Sequence, residues 1–402
     1  MKEITETLRV PVKERVDVIV AGGGFAGVAA ALAARRCGAE VLLLEKTALL
    51  GGLGTNGLIS WYEPLCDGLG EQMITGIAEE LLHAAIRYGD DTLPEAWREY
   101  AAGAREGGAD RGRLAEKRYA TFFSPTMCQL AMDEVLAGAG VRIRLDILAA
   151  RPVTEGARVL GIMCESKSGR EFFPADAFVD ATGDADLFAR AGCECVQGKN
   201  YFTAIAHLCR AAGKAKAMQN REWIAEGANL FGAGHPEGYP LMAGTANEEV
   251  TRFLLDGRKA ILERVRGDDR TARDIMALPA QAQFRETRRI KGAATVTEGD
   301  RMKPQPDSIG LTGDFKRPGE WYEIPCGCLY SPQAENMFAA GRMISAEGWA
   351  WEVTRLIPCC ALTGQAAGTA AALLAREKCT AAALPVPQLQ ESLRRQGVRL
   401  HR

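Results

Sequence analysis

The chain has 402 residues, of which 49 are basic and 51 acidic, for a formal net charge of −2. Hydrophobic residues make up 47% of it and charged residues 25%, enough to bury a large core in more than one substructure. No basic run resembles a nucleic-acid footprint, and no apolar stretch approaches the roughly 20 residues of a membrane span. Residues 1–9 are charged and amphipathic, unlike a secretory signal. We expect no nucleic-acid or membrane partner and a cytoplasmic location.

The chain opens with the pattern of a dinucleotide-binding unit. A buried parallel strand is predicted over residues 16–20 and an alanine-rich helix over 25–37, with Gly22, Gly24 and Gly27 in the turn between them. The first glycine permits the tight turn, the second lets a pyrophosphate approach the backbone, and the third allows close packing of helix on strand. The phosphates would then meet the positive end of the helix.

A second apolar strand, residues 41–44, ends in Glu45 about 20 residues beyond the glycines. An acid at this position accepts hydrogen bonds from ribose hydroxyls and disfavours a 2′-phosphate. A further glycine stretch over residues 51–57 permits close backbone approach to a second part of the cofactor.

In the middle of the chain, we predict a helix over residues 70–88 and a charged surface insertion at about 90–118. Ser124 before Pro125 indicates the start of another helix, which Gly140 ends.

A strand over residues 141–150 and a hairpin over 157–166 and 170–179 follow. They lead into residues 180–184, Asp-Ala-Thr-Gly-Asp, a strand end that in many flavoproteins places a small residue and a glycine against the cofactor.

Residues 191–280 lack the strand, glycine and helix rhythm and carry helical patterns such as 248–264. We predict a mainly helical substrate cap there. A last strand is expected over 336–340, and a long helix of small residues over 360–375 would aim its N-terminus at the cofactor. The predicted domains are a cofactor domain in two parts, 1–190 and 281–402, with the cap at 191–280 between them.

Together these segments resemble the FAD-dependent oxidoreductases of the glutathione-reductase-like superfamily, in the subgroup that also holds heterodisulfide-reductase-subunit-A-like flavoproteins. The matching segments are 21–27, 50–52, 124–125 with its helix, 180–186, 284–292, 324–325, 336–345, Arg355 and 364–371. The resemblance implies an α/β fold with a Rossmann-like FAD-binding domain, built on a parallel sheet with helices and a β-hairpin layer. It also implies a non-covalently bound FAD whose ring faces a cleft under the cap.

The sequence assigns a defined set of residues to that cofactor. They are Gly22, Gly24, Phe25, Ala26, Gly27, Glu45, Lys46, Gly51, Gly52, Gly54, Thr55, Ala181, Thr182, Gly183, Asp184, Gly341, Arg342, Gly364 and Gln365. The twelve cysteines include no Cys-x-x-Cys, so we expect neither an iron–sulfur cluster nor a disulfide relay, and no metal. Residues 53–60 contain no histidine that could hold the flavin covalently.

Three arginines, Arg285, Arg288 and Arg355, return to the cofactor domain and are candidates for clamping a substrate carboxylate. We favour Arg355, which lies just before the last helix. Surface or ion-paired roles stay open for Arg285 and Arg289.

Two further catalytic candidates are His207 and Tyr62, although a histidine on an apolar face is more often a satisfied core residue. Three acids could act as bases or pair with arginines, and two tryptophans could line a cleft or anchor the core. These residues are Glu63, Glu286, Glu352, Trp349 and Trp351.

The leading hypothesis is a flavin enzyme that oxidises or reduces a polar small molecule by hydride transfer at N5. No second dinucleotide motif follows, so electrons would enter or leave through a separate donor or acceptor. The alternative is an electron-transfer subunit of a larger redox complex. A non-catalytic flavin scaffold is the third possibility, and a homodimer is compatible with this size and fold.

Overall fold

A computed structural model describes residues 4–104, 110–210, 221–269 and 273–402. Residues 105–109 of the predicted insertion, and 211–220 and 270–272 of the predicted cap, lie outside the described residues.

The described residues form sixteen strands. They are β1 (Val16–Ala21), β2 (Val41–Leu44), β3 (Trp61–Tyr62), β4 (Thr121–Phe122), β5 (Arg142–Arg144), β6 (Ile147–Glu155), β7 (Arg158–Ser166), β8 (Gly169–Asp180), β9 (Cys195–Gln197), β10 (Thr203–Arg210), β11 (Arg221–Gly227), β12 (Arg273–Ala277), β13 (Arg288–Ile290), β14 (Ser308–Gly313), β15 (Trp321–Pro325) and β16 (Met337–Ala339).

The same residues form ten α-helices. They are α1 (Phe25–Arg36), α2 (Ile77–Ile86), α3 (Glu95–Glu99), α4 (Arg111–Ala115), α5 (Pro125–Ala139), α6 (Asp186–Arg190), α7 (Asn247–Arg266), α8 (Trp349–Thr354), α9 (Ile357–Glu377) and α10 (Val386–Arg395).

The main sheet has the strand order β5-β2-β1-β8-β7-β6, and β16 also pairs with β8. Strand β8 joins two layers, because its first half is antiparallel to β7 and its second half is parallel to β1. Both Ala21 and Ala339 pair with Asp180, so β1, β8 and β16 end at the same edge. Cofactors of open α/β sheets bind outside such carboxyl ends. The predicted parallel sheet with a β-hairpin layer is confirmed.

Small residues let α9 lie directly on α1. A Cβ atom on Gly364 would stand 2.1 Å from the carbonyl oxygen of Ala26, and one on Gly368 would stand 2.0 Å from that of Ala30. Both backbones are therefore closer than any larger residue allows. Helix α9 also has the length and mean hydropathy, 1.4, of a membrane span, contrary to the expectation from the sequence. Because 89% of its most apolar 18-residue segment is buried inside the protein, we interpret α9 as a core helix.

The described part of the predicted cap is not mainly helical, and that expectation is wrong. Strands β11, β10 and β12 form an antiparallel sheet, and the apolar side of α7 packs on it through Ile261 and Val265. The predicted insertion is likewise not all surface, because Trp97 is fully buried and stacks on Tyr119 at a ring separation of 4.7 Å.

Candidate active site

One cavity of about 450 Å³ lies between the sheet edge and the cap. Most of the residues that the sequence assigns to the cofactor meet on its wall, and Arg355 joins them. They are Gly22, Gly24, Phe25, Ala26, Glu45, Lys46, Gly51, Gly52, Gly54, Ala181, Thr182, Gly183, Gly341 and Arg342.

The first glycine turn has the shape of a phosphate cradle. Gly22 has a φ of +105°, and a Cβ atom there would lie 2.3 Å from the carbonyl oxygen of Ala181. A Cβ on Gly24, in contrast, would meet its nearest non-neighbouring atom, Gly52 Cα, only at 3.9 Å. Gly24 also forms the N-cap of α1 without a side-chain hydrogen bond, so the first amides of that helix can take an anion. The cradle thus fits the pyrophosphate of FAD.

Glu45 is held at the end of β2 by its own neighbours. Its Oε2 accepts a hydrogen bond from the Gly23 N–H at 2.6 Å, and its Oε1 accepts from the Thr47 N–H and hydroxyl, both at 2.8 Å. Carboxylate oxygens have further lone pairs, so these bonds orient the side chain and leave it able to accept from ribose hydroxyls. The position on the cavity wall agrees with the predicted role.

Asp180 organises the turn from 181 to 184, a role that the sequence motif alone does not assign. Its Oδ1 accepts from the Thr182 N–H at 3.1 Å and hydroxyl at 2.7 Å, and its Oδ2 accepts from the Leu187 N–H at 2.9 Å and the Phe188 N–H at 3.3 Å. The side chain is fully buried. This one carboxylate therefore joins the end of β8 to the start of α6.

A partly buried ion pair supports the cavity wall behind this turn. Arg342 donates from Nη2 to Oδ1 of Asp184 at 2.6 Å, and the Thr287 hydroxyl donates to the same oxygen. Burial acts to raise the pKa of Asp184, but Arg342 and the hydrogen bond from Thr287 outweigh it and leave the pKa below its usual value. The buried Nε of Arg342 has no hydrogen-bond partner among the described atoms.

Five residues assigned to the cofactor shape the site from behind, because the cavity wall formed by the described residues does not include them. Asp184 acts through Arg342, and a Cβ on Gly27 would lie 1.8 Å from the Gly22 carbonyl oxygen. The remaining three are packing residues: Thr55 donates to the Leu50 carbonyl, Gly364 contacts α1, and Gln365 Oε1 accepts from the Ile77 N–H at 2.9 Å.

Three of the four predicted catalytic residues also lie off that wall as far as it is described. Tyr62 is fully buried in the core, and its hydroxyl donates to the Ala78 carbonyl. Arg288 donates to the Asp184 carbonyl at 2.8 Å and to the Asp186 carboxylate at 2.7 Å, so it holds the 184–186 turn. We do not retain Tyr62 or Arg288 as catalytic residues, since neither side chain faces the cavity.

The third residue off the wall, His207, lies in β10 and connects this strand to the segment that follows the glycine loop. Its Nε2 is 3.1 Å from the Leu58 carbonyl oxygen and 3.4 Å from the Ser60 hydroxyl. Gln283 makes a parallel tie, donating from Nε2 to the Gly57 carbonyl at 2.6 Å while its Oε1 accepts from the Ile205 N–H at 2.7 Å. Both residues thus anchor β10 to the glycine loop, and we no longer assign catalysis to His207.

Two arginines share the far part of the cavity. Arg355 is largely buried and ion-paired with Glu352 through Nε at 2.7 Å. Arg285, for which the sequence left a surface role open, lines the same wall and donates to the Asn229 carbonyl at 3.0 Å. Burial and the nearby Arg355 charge lower the pKa of Arg285. Two cations held this close favour an anionic ligand between them.

Glu63 also lies on this wall, while Glu286 and Glu352 do not belong to it among the described residues. Burial raises the pKa of Glu63 to about 7, against the opposing effects of backbone N–H groups and of Arg355. Burial and the Glu352 charge raise the pKa of Glu286 to about 7 as well. Glu352 forms an ion pair with Arg355, which is one of the two roles that the sequence left open for it.

Three aromatic side chains stack in a row that begins at the cavity wall. Trp349 stacks on Phe315, a wall residue, at 5.5 Å and on Phe231 of the cap at 6.0 Å, with rings within 15° of parallel. Trp351 instead donates from Nε1 to the Arg342 carbonyl, so it supports the wall from behind.

The cysteines are free thiols, and burial raises the pKa of Cys360, which lies on the wall, to about 12. Within the described ranges no three His, Cys, Asp or Glu side chains are grouped as metal ligands.

Comparison with known proteins gives the family. The family model described as FAD dependent oxidoreductase matches residues 17–204 and 242–393. Urocanate reductase from Eggerthella lenta is 33% identical over 138 residues, which is 33% of this chain and only 22% of that protein. Among solved structures, p-nitrophenol 4-monooxygenase from Pseudomonas putida aligns with a TM-score of 0.52 at 12% identity, over 94% of this chain and 84% of that one. A geranylgeranyl bacteriochlorophyll reductase-like protein from Thermoplasma acidophilum aligns at 0.50 with 13% identity, over 95% and 83%. These structures share the fold.

Proposed function

The chain belongs to the FAD-dependent oxidoreductase family, and from this premise we propose that it oxidises or reduces a small polar molecule that carries a carboxylate. One observation carries the proposal: Arg285 and Arg355 line the same cavity as the glycine cradle. When bound, FAD supplies hydride transfer at its N5 atom. The protein's own part is to hold the substrate in reach and to exclude water.

The two guanidinium groups suit a carboxylate because they present planar, forked donors. Arg285 donates one hydrogen bond to the Asn229 carbonyl, and the ion pair with Glu352 orients Arg355. Lys316 adds another cation to the wall, while Trp61, Ile205 and Phe284 give it apolar surface. This lining supports a substrate with an anionic end and a small apolar body.

The lining also supports an enzyme over an electron-transfer subunit. A subunit that passes electrons between proteins needs an exposed flavin edge beside a large apolar patch. Here charged side chains line the cavity, and the Phe231–Trp349–Phe315 stack meets its wall at Phe315. The electron donor or acceptor is a separate molecule in this proposal, and a homodimer stays a prediction.

The test is an anaerobic absorbance titration of the purified flavoprotein. Oxidised samples receive hydroxy acids, saturated acids and sugars; dithionite-reduced samples receive enoates and keto acids. We expect one carboxylate class to bleach or restore the flavin bands, and its carboxamide analogue to fail. Losing one charged hydrogen bond costs about 1.5–3 kcal/mol, so Arg285→Gln and Arg355→Gln should each raise KM by about 10- to 100-fold. Reaction with neutral sugars alone would contradict the proposal.

A further inference from the structure

Glu63 is an acidic side chain that lines the same cavity wall as Arg285 and Arg355. It directly follows β3, where successive side chains alternate between faces. Trp61 and Glu63 therefore turn to the cavity, while Tyr62 between them points into the core. The half-buried carboxyl of Glu63 reaches the same space as Arg285 and Arg355.

The carboxyl is oriented by the first turn of α9. Its Oε2 accepts a hydrogen bond from the Ile357 N–H at 3.2 Å, two residues beyond Arg355. None of the described side chains donates a hydrogen bond to Glu63, and the nearby Arg355 is instead paired with Glu352. The backbone thus orients the carboxyl group, and its remaining lone pairs can accept hydrogen bonds from a ligand.

The groups that face Glu63 keep their own charge states near neutral pH. Tyr62 and Cys360 stay protonated, because burial raises the pKa of Tyr62 well above its usual value and that of Cys360 to about 12. The pKa of Glu63 is raised to about 7, so this carboxyl group can take up and release a proton near neutral pH, at which its neighbours do not titrate.

We propose that Glu63 is the proton acceptor and donor of the reaction, facing a substrate carboxylate held by Arg285 and Arg355. The inference rests on the proposed function. On oxidation, bound FAD would accept the hydrogen and the electron pair of a substrate C–H bond as hydride. The proton on the neighbouring oxygen, nitrogen or carbon passes to the Glu63 carboxylate, and a double bond forms. On reduction, the same proton returns from Glu63.

The test compares Glu63→Gln with Glu286→Gln. Glu286 has a pKa raised to a similar value and also interacts with the charges of Arg285 and Arg355, but it does not lie on the described cavity wall, so it controls for the removal of a nearby carboxyl group. Loss of a general acid–base catalyst costs about 10²- to 10⁴-fold. We expect Glu63→Gln to lower kcat by that factor and to keep its FAD content and substrate KM. The variant should also lose the pH limb of kcat, which is the change of kcat with pH near neutrality that the titration of Glu63 causes in wild type. Glu286→Gln should keep the limb and a rate within a few-fold of wild type.

An infrared readout is independent of turnover. In pH difference spectra of the cofactor-free protein, the carboxylic-acid carbonyl band that titrates near neutrality should lose one component in Glu63→Gln. If wild type turns over a carboxylate and Glu63→Gln retains its kcat and pH limb, the role of Glu63 is wrong while the proposed function stands. If no carboxylate reacts with wild type, the proposed function fails, and the catalytic role falls with it.

Discussion

A Cβ atom on Gly27 would lie 1.8 Å from the carbonyl oxygen of Gly22, so the start of α1 sits on the end of β1 with room for hydrogen only. Gly24, between them in sequence, faces the cavity with no comparable neighbour, its Cβ position being 3.9 Å from Gly52 Cα. Two glycines of one motif therefore have separable purposes.

Gly24→Val should abolish FAD binding and leave the apoprotein folded, because its side chain would occupy the space of the pyrophosphate and its φ of −68° suits any residue. Flavin absorbance per protein, with circular dichroism melts, checks this. Gly27→Ala is the control and should lower Tm even without cofactor. Full FAD occupancy in Gly24→Val would remove that turn from the site.

Gln365→Leu should destabilise the protein and leave FAD affinity within about twofold. The substitution leaves the Ile77 N–H at the start of α2 without its acceptor, which costs about 1–3 kcal/mol. Thermal melts and a flavin titration separate the two quantities. A large loss of FAD affinity at unchanged Tm would restore Gln365 as a cofactor residue.

His207→Ala should loosen the cap rather than alter the proton chemistry. It removes the contact of β10 with the Leu58 carbonyl, while the hydrogen bond of Gln283 to the Gly57 carbonyl remains. Hydrogen exchange of the 203–210 backbone should quicken, while the pH limb of kcat keeps its position. Loss of that limb would return His207 to the list of acid–base residues.

Arg355→Gln should move the pH limb of kcat to higher pH. The Arg355 charge lowers the pKa of Glu63, so its removal lets burial raise that pKa above about 7. Arg288→Gln is the comparison, since its contacts are with the 184–186 turn, and its limb should stay in place. A limb that does not move in Arg355→Gln would mean that another group titrates.

Stability should fall as the pH rises through neutrality, in part because of Glu63 and Glu286. Both carboxyls keep a proton up to about pH 7 when folded, against an ordinary value of 4.5. The folded state thus binds more protons than the unfolded state between these values, and this contribution to stability is lost above them. Relative to wild type, Glu63→Gln and Glu286→Gln should gain more Tm at about pH 8 than at about pH 5. Equal differences at both would contradict the pKa shifts.

The sequence predicted the parts of the fold that depend on local pattern. Strand β2 has the predicted bounds, and α5 begins after Ser124 and ends at Gly140, which has a φ of +74°. The cap was misjudged because α7 carries a clear helical period, whereas β10, Thr-Ala-Ile-Ala-His-Leu-Cys-Arg, has small and polar residues with little strand signal.

Side-chain direction was the harder question at the site. Tyr62 and Glu63 are adjacent, so only the register of β3 decides which one faces the cavity. The same limit applies to Arg285 and Arg288, whose segment offered no periodicity to orient them. Likewise, Gly364 and Gln365 belong to a flavin-like motif, but their contacts with α1 and α2 depend on tertiary packing.

The contact of α9 with α1 also bears on how the protein is made. Strand β16 and helix α9 come late in the chain, yet they complete the sheet beside β8 and cover Ala26 and Ala30 of the first helix. A nascent chain that has emerged only through the cap would carry an open sheet edge and an uncovered helix. Such species aggregate readily. We therefore expect cofactor capture to follow synthesis, and chaperone demand to be greatest just before the last helix appears.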